Sequence, residues 1–312
     1  MTTTSSTPIG TAPAEPRRPA GWLPFAAVAV TLVLWSSAFV AIRHLGHDVS
    51  PGALSLGRLV IGGLVLSVLV LRGRPARLTR TDVLLLVVCG VSWFGIYNIA
   101  LNDSERRIDA ATAAMLVQVG PIVVALLAAL FLGERLTSWL LAGIAVAFAG
   151  VVVIGLAMRA DGGSDVSGVL LALLAAVTYA VGVVTQKVLL RRLTAVEIVC
   201  YACWIGAAVC LPWSGDLVDI VRHGRGSDLA WIVYLGLFPT ALAFTLWAFA
   251  LRHTDAGKQA ITTFLVPGIT AVLAWLLLGE VPPALAFAGG LLCIAGVLVT
   301  RRKPREASAV RV

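Results

Sequence analysis

The sequence contains little of what a water-soluble enzyme needs. Only 13% of its 312 residues are charged, and it has just four histidines and five cysteines. The metalloprotease pattern H-E-x-x-H, the hydrolase pattern G-x-S-x-G and the phosphate-binding P-loop are all absent. Without a P-loop the chain cannot be an ATP-driven pump of the usual kind, and no cofactor is expected.

The few cysteines and histidines do not form a recognisable metal or redox site. Cys200 and Cys203 make a C-x-x-C, but it stands within an apolar run with no second pair or histidine near it. We interpret both as small buried hydrophobes. His44 and His47 have no further ligands beside them, so no metal site is expected.

Long apolar runs make up most of the chain instead. Hydrophobic residues are 59% of the total, more than soluble domains usually carry. Lipid is the solvent that suits such a chain, and a spanning helix needs about 20 mostly apolar residues. The runs are continuous rather than alternating, which favours helices over a β-barrel. The sequence predicts an all-α polytopic membrane protein with ten transmembrane helices, at roughly 23–42, 51–71, 82–101, 109–132, 138–158, 167–187, 196–213, 228–251, 256–279 and 283–300.

Charged residues fall mainly in the tails and the short connections. Residues 1–22 are rich in Thr, Ser and Pro and are expected to form a disordered tail, while residues 301–312 form a basic one. With the N-terminus inside, ten spans place most Lys and Arg on the inner side, as the positive-inside rule requires. Both tails are therefore predicted to be cytoplasmic. We interpret the net charge of +8 as an orientation signal, and no nucleic-acid partner is expected.

The second part of the chain repeats the first. The register is 146 positions, which is the distance from Asp109 to Asp255. Five spans in each copy is an odd number, so the second copy must enter the membrane from the opposite side. The sequence thus predicts two inverted repeats, over 23–158 and 167–300. Turn-forming and polar residues recur in this register: Pro121, Gly133 and Glu134 pair with Pro267, Gly279 and Glu280.

Each copy has a Gly-Glu pair after its fourth span. Gly133 and Gly279 suit the left-handed position just past a helix end. Glu134 and Glu280 then stand at the start of the next helix, whose dipole favours a carboxylate. We interpret both pairs as structural turns, and proton transfer by the glutamates is the alternative.

Several segments carry a family pattern: LWSSAFVAIR (34–43), Arg58, VGPIVVALLAALFLGERLT (119–137), TALAFTLWAFALR (240–252) and LVPGITAVLAWLLLGE (265–280). They resemble the EamA-type transporters of the drug/metabolite transporter superfamily. The resemblance implies an inner-membrane carrier with a central cavity between its halves. Such carriers move small metabolites such as amino acids, often outward, without ATP. A monomer in the lipid bilayer is expected, with a channel-like facilitator as the alternative and a membrane enzyme as a remote one.

Two prolines mark the middle of the fourth and ninth spans. Pro121 and Pro267 each remove one backbone hydrogen bond and are predicted to kink their helices. The carbonyls of Val117 and Thr263 lose their partners, and such backbone is tolerated at this depth where it lines a wet cavity or is buried in protein. The polar side chains beside the predicted kinks are those of Gln118, Thr262 and Thr263.

Aromatic residues are the other cavity candidates. Trp35 and Trp93 stand too deep in their spans to be interface anchors, so they either line a cavity or pack between helices. Matching YNIALN (97–102) to WAFALR (247–252), with four additional residues in the first copy, pairs Tyr97 with Trp247. In the second copy, Thr178 and Tyr179 stand at or near the position where the family usually has an aromatic residue. The candidates are Trp35, Trp93, Tyr97, Tyr179 and Trp247.

Arg58 is a charge within the second span. It lies seven positions past Pro51, roughly 10 Å deep at about 1.5 Å per residue. A charge at the centre of a span costs about 2.5–3.5 kcal/mol on insertion scales, which makes it a candidate functional residue. Because Arg58 lies off centre, we favour the alternative that it snorkels or bonds backbone carbonyls and so stabilises the bundle.

Overall fold

The computed structural model describes residues 21–45, 49–107, 116–158, 165–278 and 284–300. Within these ranges the chain is helical apart from short connections, and it contains no β-strand. Most of both tails, His47, Asp109, Gly279 and Glu280 lie outside the described residues. The α-helices are α1 Leu23–Leu45, α2 Pro51–Arg72, α3 Arg80–Cys89, α4 Tyr97–Arg107, α5 Val119–Leu132, α6 Ser138–Met158, α7 Val166–Leu189, α8 Ala195–Val209, α9 Ser214–His223, α10 Gly226–Leu235, α11 Ala243–His253, α12 Ala256–Ala260, α13 Val266–Leu278 and α14 Ala284–Thr300.

Six helical segments in the described part of the chain are long and apolar enough to cross a membrane. A bent pair, Ala195–Val209 with Leu211–His223, would make a seventh. Val119–Leu132, Ser138–Ile154 and Phe287–Thr300 are shorter apolar helices. The chain is therefore a multi-pass membrane protein. The six longer segments are Leu23–Ile42, Pro51–Arg72, Arg80–Arg107, Val166–Leu189, Gly226–His253 and Ala256–Leu277.

The seventh predicted span, 196–213, is wrong at its C-terminal end. α8 ends at Val209, and Pro212 stands in the first turn of a 3₁₀ segment, Leu211–Trp213. The chain then bends by 62° into α9, whose residues are all at least partly exposed. α9 is thus a short amphipathic helix, turned away from the span before it.

The helix ends lie at two opposite faces of the bundle. Hydrogen bonds and ion pairs between the connecting segments show which ends share a face. On one face the Glu197 carboxylate accepts a hydrogen bond from the Ala76 backbone N–H at 2.6 Å, and Arg192 Nη1 lies 3.2 Å from Asp82 Oδ2. We call this end the basic face, because most of the described Lys and Arg residues lie there: Arg72, Arg74, Arg77, Arg80, Arg135, Lys187, Arg191, Arg192, Arg252 and Lys258.

The remaining helix ends form the opposite face. There the Ser50 hydroxyl donates to Asp216 Oδ2 at 2.6 Å, and the Ser104 hydroxyl donates to the Gly168 carbonyl at 2.8 Å. These bonds join the start of α2 to α9 and the end of α4 to the start of α7. Fewer basic residues lie at this face: Arg106, Arg107, Arg222 and Arg225, with Arg43 near the end of α1.

Both ends of the described chain lie at the basic face. α1 runs antiparallel to α11, since the Thr31 hydroxyl donates to the Ala243 carbonyl at 3.2 Å and Trp35 Nε1 donates to the Pro239 carbonyl at 3.3 Å. α14 runs antiparallel to α6, so that its last residue, Thr300, lies beside the first turns of α6.

α6 and α14 pack backbone to backbone along a contact that we call the seam. A methyl group at Gly150 would lie 2.6 Å from the Gly289 carbonyl oxygen, and one at Gly289 would lie 2.7 Å from that of Gly150. Gly143 faces the Gly296 carbonyl oxygen in the same way, at 2.7 Å. Gly143 and Gly289 are mates in the repeat, as are Gly150 and Gly296. Each glycine therefore contacts the mate of the other.

Two π-helical turns occur at equivalent places in the two copies. Gly90–Ile96 follows α3, and Gly236–Leu242 follows α10; each has seven residues. The turns are 146 positions apart, as are the helical segments 80–107 and 226–253 that contain them. This register has no gap, so Tyr97 is equivalent to Ala243. Its predicted pairing with Trp247, which required four additional residues, is wrong because the helices need no insertion.

Candidate functional site

A central cavity lies among the helices. Its wall runs along α1 from Trp35 to Ile42 and along α4 from Tyr97 to Asn102. Both stretches lead from mid-helix toward the opposite face, so the cavity extends in that direction. The residues predicted as cavity candidates that line it are Trp35, Trp93, Tyr97, Gln118, Tyr179 and Thr263.

A cluster of aromatic rings closes the cavity at mid-depth. The Trp93 ring lies edge-on to those of Tyr179 and Phe244, with centroids 5.3 and 5.0 Å away. Trp35 packs on Trp247, with centroids 4.9 Å apart. Trp247 was predicted to line the cavity, but it is completely buried and does not. It packs against Trp35, which does line the cavity. Edge-to-face packing of this kind holds the rings in fixed orientations.

The first π turn positions Trp93 and Asn98. A π turn shifts the backbone hydrogen-bond register and leaves carbonyls for other donors, and such turns often occur at functional sites. Here Asn98 Nδ2 donates to the carbonyls of Trp93 and Phe94, at 3.3 and 2.9 Å. The amide group of Asn98 is thereby fixed, no described residue donates a hydrogen bond to its oxygen, and the residue lines the cavity.

The second π turn positions Arg58. The Thr240 hydroxyl donates to the carbonyl of Leu235, five residues earlier, at 2.8 Å, and accepts a hydrogen bond from Arg58 Nε at 2.8 Å. Arg58 is only 6% exposed and lines the cavity. The sequence interpretation expected Arg58 either to snorkel to an interface or to bond backbone carbonyls. Instead the side chain is buried, and its hydrogen bond is to a side-chain hydroxyl. Among the described residues, the Thr240 hydroxyl is the hydrogen-bond partner of Arg58, and no carboxylate forms an ion pair with it.

The two broken helices meet at Gln118 and Thr263. Gln118 Nε2 donates to the Thr263 carbonyl at 3.2 Å, and the Thr263 hydroxyl donates to Gln118 Oε1 at 3.4 Å. Pro267 was predicted to leave the Thr263 carbonyl without a partner. That carbonyl instead accepts a hydrogen bond from Gln118, which belongs to the other half of the chain. Thr262 instead bonds the Gln259 carbonyl and does not line the cavity.

The prolines lie in first turns rather than within continuous helices. α5 begins at Val119, just before Pro121, and α13 begins at Val266, just before Pro267. A proline in a first turn costs little, because the N–H that it lacks would have no partner there. The predicted kinks are therefore interruptions. Pro121 lines the cavity, whereas Pro267 does not.

Contacts between the halves close the side of the site toward the basic face. Gly133 has the predicted left-handed backbone, with φ of 69°. Glu134, however, does not cap its own next helix, which begins only at Ser138. Its carboxylate accepts hydrogen bonds from the backbone N–H groups of Ala256 and Gly257, at 2.7 and 3.0 Å. Glu134 therefore caps α12 in the other half, a long-range partner that no local pattern encodes.

A lysine adds to this closure. Lys187 Nζ donates to the carbonyl of Leu251 at 2.6 Å and also to that of Thr254. These carbonyls belong to the last turn of α11 and the residue that follows it, where a cation is favoured by the helix dipole. The end of α7 is thus tied to the end of α11, directly beside the helix that Glu134 caps.

Asn98, Asn102 and Phe244 are among the cavity residues that the sequence interpretation missed. Asn98 and Asn102 are one helical turn apart in an apolar stretch, and this spacing alone indicates a polar face on α4. Phe244 lies 146 positions after Asn98, so the repeat register could have identified it. Thr178, by contrast, bonds the carbonyls of its own helix, and its neighbour Tyr179 is the residue that lines the cavity.

Comparisons with known proteins agree with this arrangement. A chain of Streptantibioticus cattleyicolor named a probable terminal-alkyne amino-acid exporter is 37% identical over 286 residues, which cover 90% of this chain and 96% of that protein. The uncharacterized transporter YdfC of Bacillus subtilis is 29% identical, over 89% of this chain and 90% of its own length. A solved crystal structure with 22% identity has a TM-score of 0.73, covers 89% of this chain and 96% of its own, and shows the same fold.

The family model matches the chain twice. The model described as the EamA-like transporter family covers residues 22–156 and again residues 166–302. Together these matches include nearly all of the described residues. The proteins of this family that are similar to the chain are named as transporters and not as enzymes. The chain therefore belongs to the EamA-like transporter family.

Proposed function

We propose that this membrane transporter is a secondary carrier that exports a small amino-acid-like metabolite by alternating access, without ATP. The observation that carries the proposal is the position of the central cavity. Its described wall extends toward the opposite face, while the Glu134 and Lys187 contacts join helix ends at the basic face. A cavity set toward one face, with helix ends joined at the other, is the arrangement expected of an alternating-access carrier in one of its two states.

The proposed topology has ten membrane-spanning helices in two inverted five-helix repeats. It is supported by the exchanged glycine contacts of the seam, by the equivalent π turns and by the double match to one family model. We assign the basic face to the cytoplasm of the inner membrane, because cytoplasmic connections carry the excess of Lys and Arg. Both termini are then cytoplasmic, and the cavity faces outward in this conformation.

Alkaline phosphatase fusions test this topology. A fusion after residue 160 lies beyond the end of α6 and is expected to be active, because the connection is external. A fusion after residue 192 lies at the basic face and is expected to be silent. Activity in the reverse order would contradict the assignment of the faces.

An amino-acid substrate is supported by the relative and by the wall of the site. The Streptantibioticus protein is named an amino-acid exporter. The cavity of this chain combines aromatic rings with buried polar groups, as pockets for small amphiphilic molecules do. We propose Trp35, Trp93, Tyr97, Tyr179, Gln118 and Thr263 as substrate-contacting residues, with Arg58, Asn98 and Phe244 beside them.

Counterflow in proteoliposomes tests the carrier. Vesicles preloaded with an unlabelled neutral amino acid should accumulate the labelled one transiently, with a rate that saturates. Trp93→Ala should abolish counterflow, because it removes the central ring of the cavity wall. Trp275→Ala is the matched control, since that ring is 43% exposed on α13 and does not line the cavity.

The alternative, a channel-like facilitator, predicts a different result in the same vesicles. Its flux would rise linearly with concentration and show no counterflow, which would overturn the carrier proposal. Direction is measured separately, by comparing uptake into inside-out and right-side-out vesicles. We expect transport from the basic face to the opposite face.

A further inference from the structure

We propose that Arg58 binds the carboxylate of the substrate and that the cavity therefore selects zwitterionic amino acids with an apolar side chain. This inference rests on the proposed function and deepens it by naming the chemical group that the site recognises. Neither the family match nor the named relatives assign a role to this residue.

The first step is that Arg58 is buried and has no carboxylate partner among the described residues. The residue is 6% exposed, and its recorded hydrogen bond, from Nε to the Thr240 hydroxyl at 2.8 Å, is to a neutral group. A buried charge that lacks an opposite charge is strongly destabilising. Yet the residue lines a cavity rather than a packed interior. An anionic ligand in that cavity would supply the missing charge.

The second step is that the described wall of the cavity contains no acidic residue. The polar groups that share it with Arg58 are neutral, including the amides of Asn98, Asn102 and Gln118. The net charge of the wall is therefore positive, which attracts an anion and disfavours a cation. A simple amine would gain nothing from Arg58.

The third step is that the geometry of the guanidinium suits a carboxylate. Nε is engaged by Thr240, so the two terminal nitrogens are the donors that remain. A planar pair of N–H donors matches the two oxygens of a carboxylate better than any other small group except phosphate. Thr240 is itself fixed by its bond to the Leu235 carbonyl, which orients the guanidinium before the ligand arrives.

The fourth step is that the scaffold does not need an arginine here. α2 and α8 are equivalent helices that begin after Ser50 and Thr194, each of which caps its helix with its hydroxyl. These caps are 144 positions apart, two fewer than the register of the helices that follow. Counted from the caps, Arg58 is equivalent to Ala202, which is completely buried. The same packing position in the other copy is thus filled without a charge.

The rest of the cavity fits the remaining groups of such a ligand. Asn98 has its amide nitrogen bound to two carbonyls, which leaves its oxygen to accept a hydrogen bond from an ammonium group. The rings of Trp35, Phe39 and Phe244 form an apolar wall, which favours an aliphatic or aromatic side chain over a charged one.

Matched pairs of ligands test the assignment by binding, independently of transport. The probes are neutral L-amino acids with apolar side chains and their carboxamides, which keep the ammonium and the side chain but lack the carboxylate. Thermal stabilisation of the purified protein should require at least about tenfold more amide than amino acid. Equal stabilisation by both would overturn the proposal, as would the absence of stabilisation by any amino acid.

Variants of Arg58 separate recognition from folding. Arg58→Gln should reduce the preference for the amino acid over its amide to about one, and Arg58→Lys should retain part of it because the charge remains. If Arg58→Gln does not fold, Thr240→Val provides the test. Valine keeps the shape of the threonine side chain but removes the hydrogen bond that orients the Arg58 guanidinium. We expect the preference for the amino acid over its amide to fall about tenfold. An unchanged preference in a folded variant would contradict the assignment.

The outcomes also distinguish this inference from the proposed function. Saturable counterflow of a compound that has no carboxylate, with the preference absent in the wild-type protein, would retain the carrier and reject the role of Arg58. Carboxylate-dependent binding without counterflow would retain the role of Arg58 and reject the carrier.

Discussion

The seam and the cavity are two places where the halves of the chain meet, and the halves contribute equally only to the seam. Along the seam each glycine contacts the mate of the other, so both halves supply the same atoms. Around the cavity, the described residues from the second half are Tyr179, Phe244, Thr263 and Val266, whereas the charge and the amides come from the first. Packing between the halves thus depends on what the copies share, and the site depends on where they differ.

The largest expected effect lies at the seam and should be the same in both copies. Gly150→Leu and Gly289→Leu each place a side chain where even a methyl group would lie less than 3 Å from a carbonyl oxygen. We expect each to destabilise the protein by about 3 kcal/mol, measured as a loss of folded, monodisperse protein and a lower melting temperature. Gly290→Leu is the control, because a methyl group there has nothing within 4 Å. Markedly different losses of stability in the two seam variants would show that the halves do not contribute equally to the seam.

The next effect is at a pair of mates that line the cavity and should be unequal. Asn98→Leu leaves the carbonyls of Trp93 and Phe94 without their donor, which we expect to cost about 2 kcal/mol and to reduce counterflow about tenfold. Phe244→Leu trims a ring and keeps the site apolar, so it should cost about 1 kcal/mol and retain most transport. Equal losses of transport in the two variants would show that the halves contribute alike.

A smaller effect is expected where Glu134 caps α12 across the two halves. Glu134→Gln keeps one acceptor for the N–H groups of Ala256 and Gly257 but loses the charge. We expect a loss of about 1 kcal/mol, seen as a melting temperature about 2 °C lower. Glu280→Gln is the corresponding change in the second copy. If the two copies are related by inversion, it should have a similar effect at the opposite face.

The smallest effect is expected outside both contacts. Lys258 and Asp255 form an ion pair at 2.6 Å, but both side chains are about half exposed. Lys258→Ala should therefore change stability by less than about 0.5 kcal/mol and leave counterflow unaltered. This variant sets the baseline for the others, and a large loss of stability would mean that the basic face contributes more than its exposed contacts indicate.

The sequence predicted a helical multi-pass membrane protein, because apolar length decides where a chain can cross lipid. It also identified six cavity-lining side chains among its eight candidates, since depth in a span points to the centre. It missed the π turns around Trp93 and Thr240, because a shift in backbone hydrogen bonding leaves no mark on hydrophobic periodicity. It misplaced Trp247 and Thr262, because depth does not determine which face of a helix a residue occupies. The partner of Glu134 is distant in sequence and could not be found from local pattern.

The exchanged glycine contacts have a consequence for how such a chain could arise. If the two copies are inverted as proposed, a protein carrying only the two glycines of α6 would make both contacts with a second copy of itself inserted in the opposite orientation. The seam would then have the geometry of a dual-topology homodimer. Fusing the two genes would fix the opposed orientation of the copies. Each copy could then change independently, so that a polar residue, Asn98, stands in the first copy and Phe244 at the equivalent position of the second.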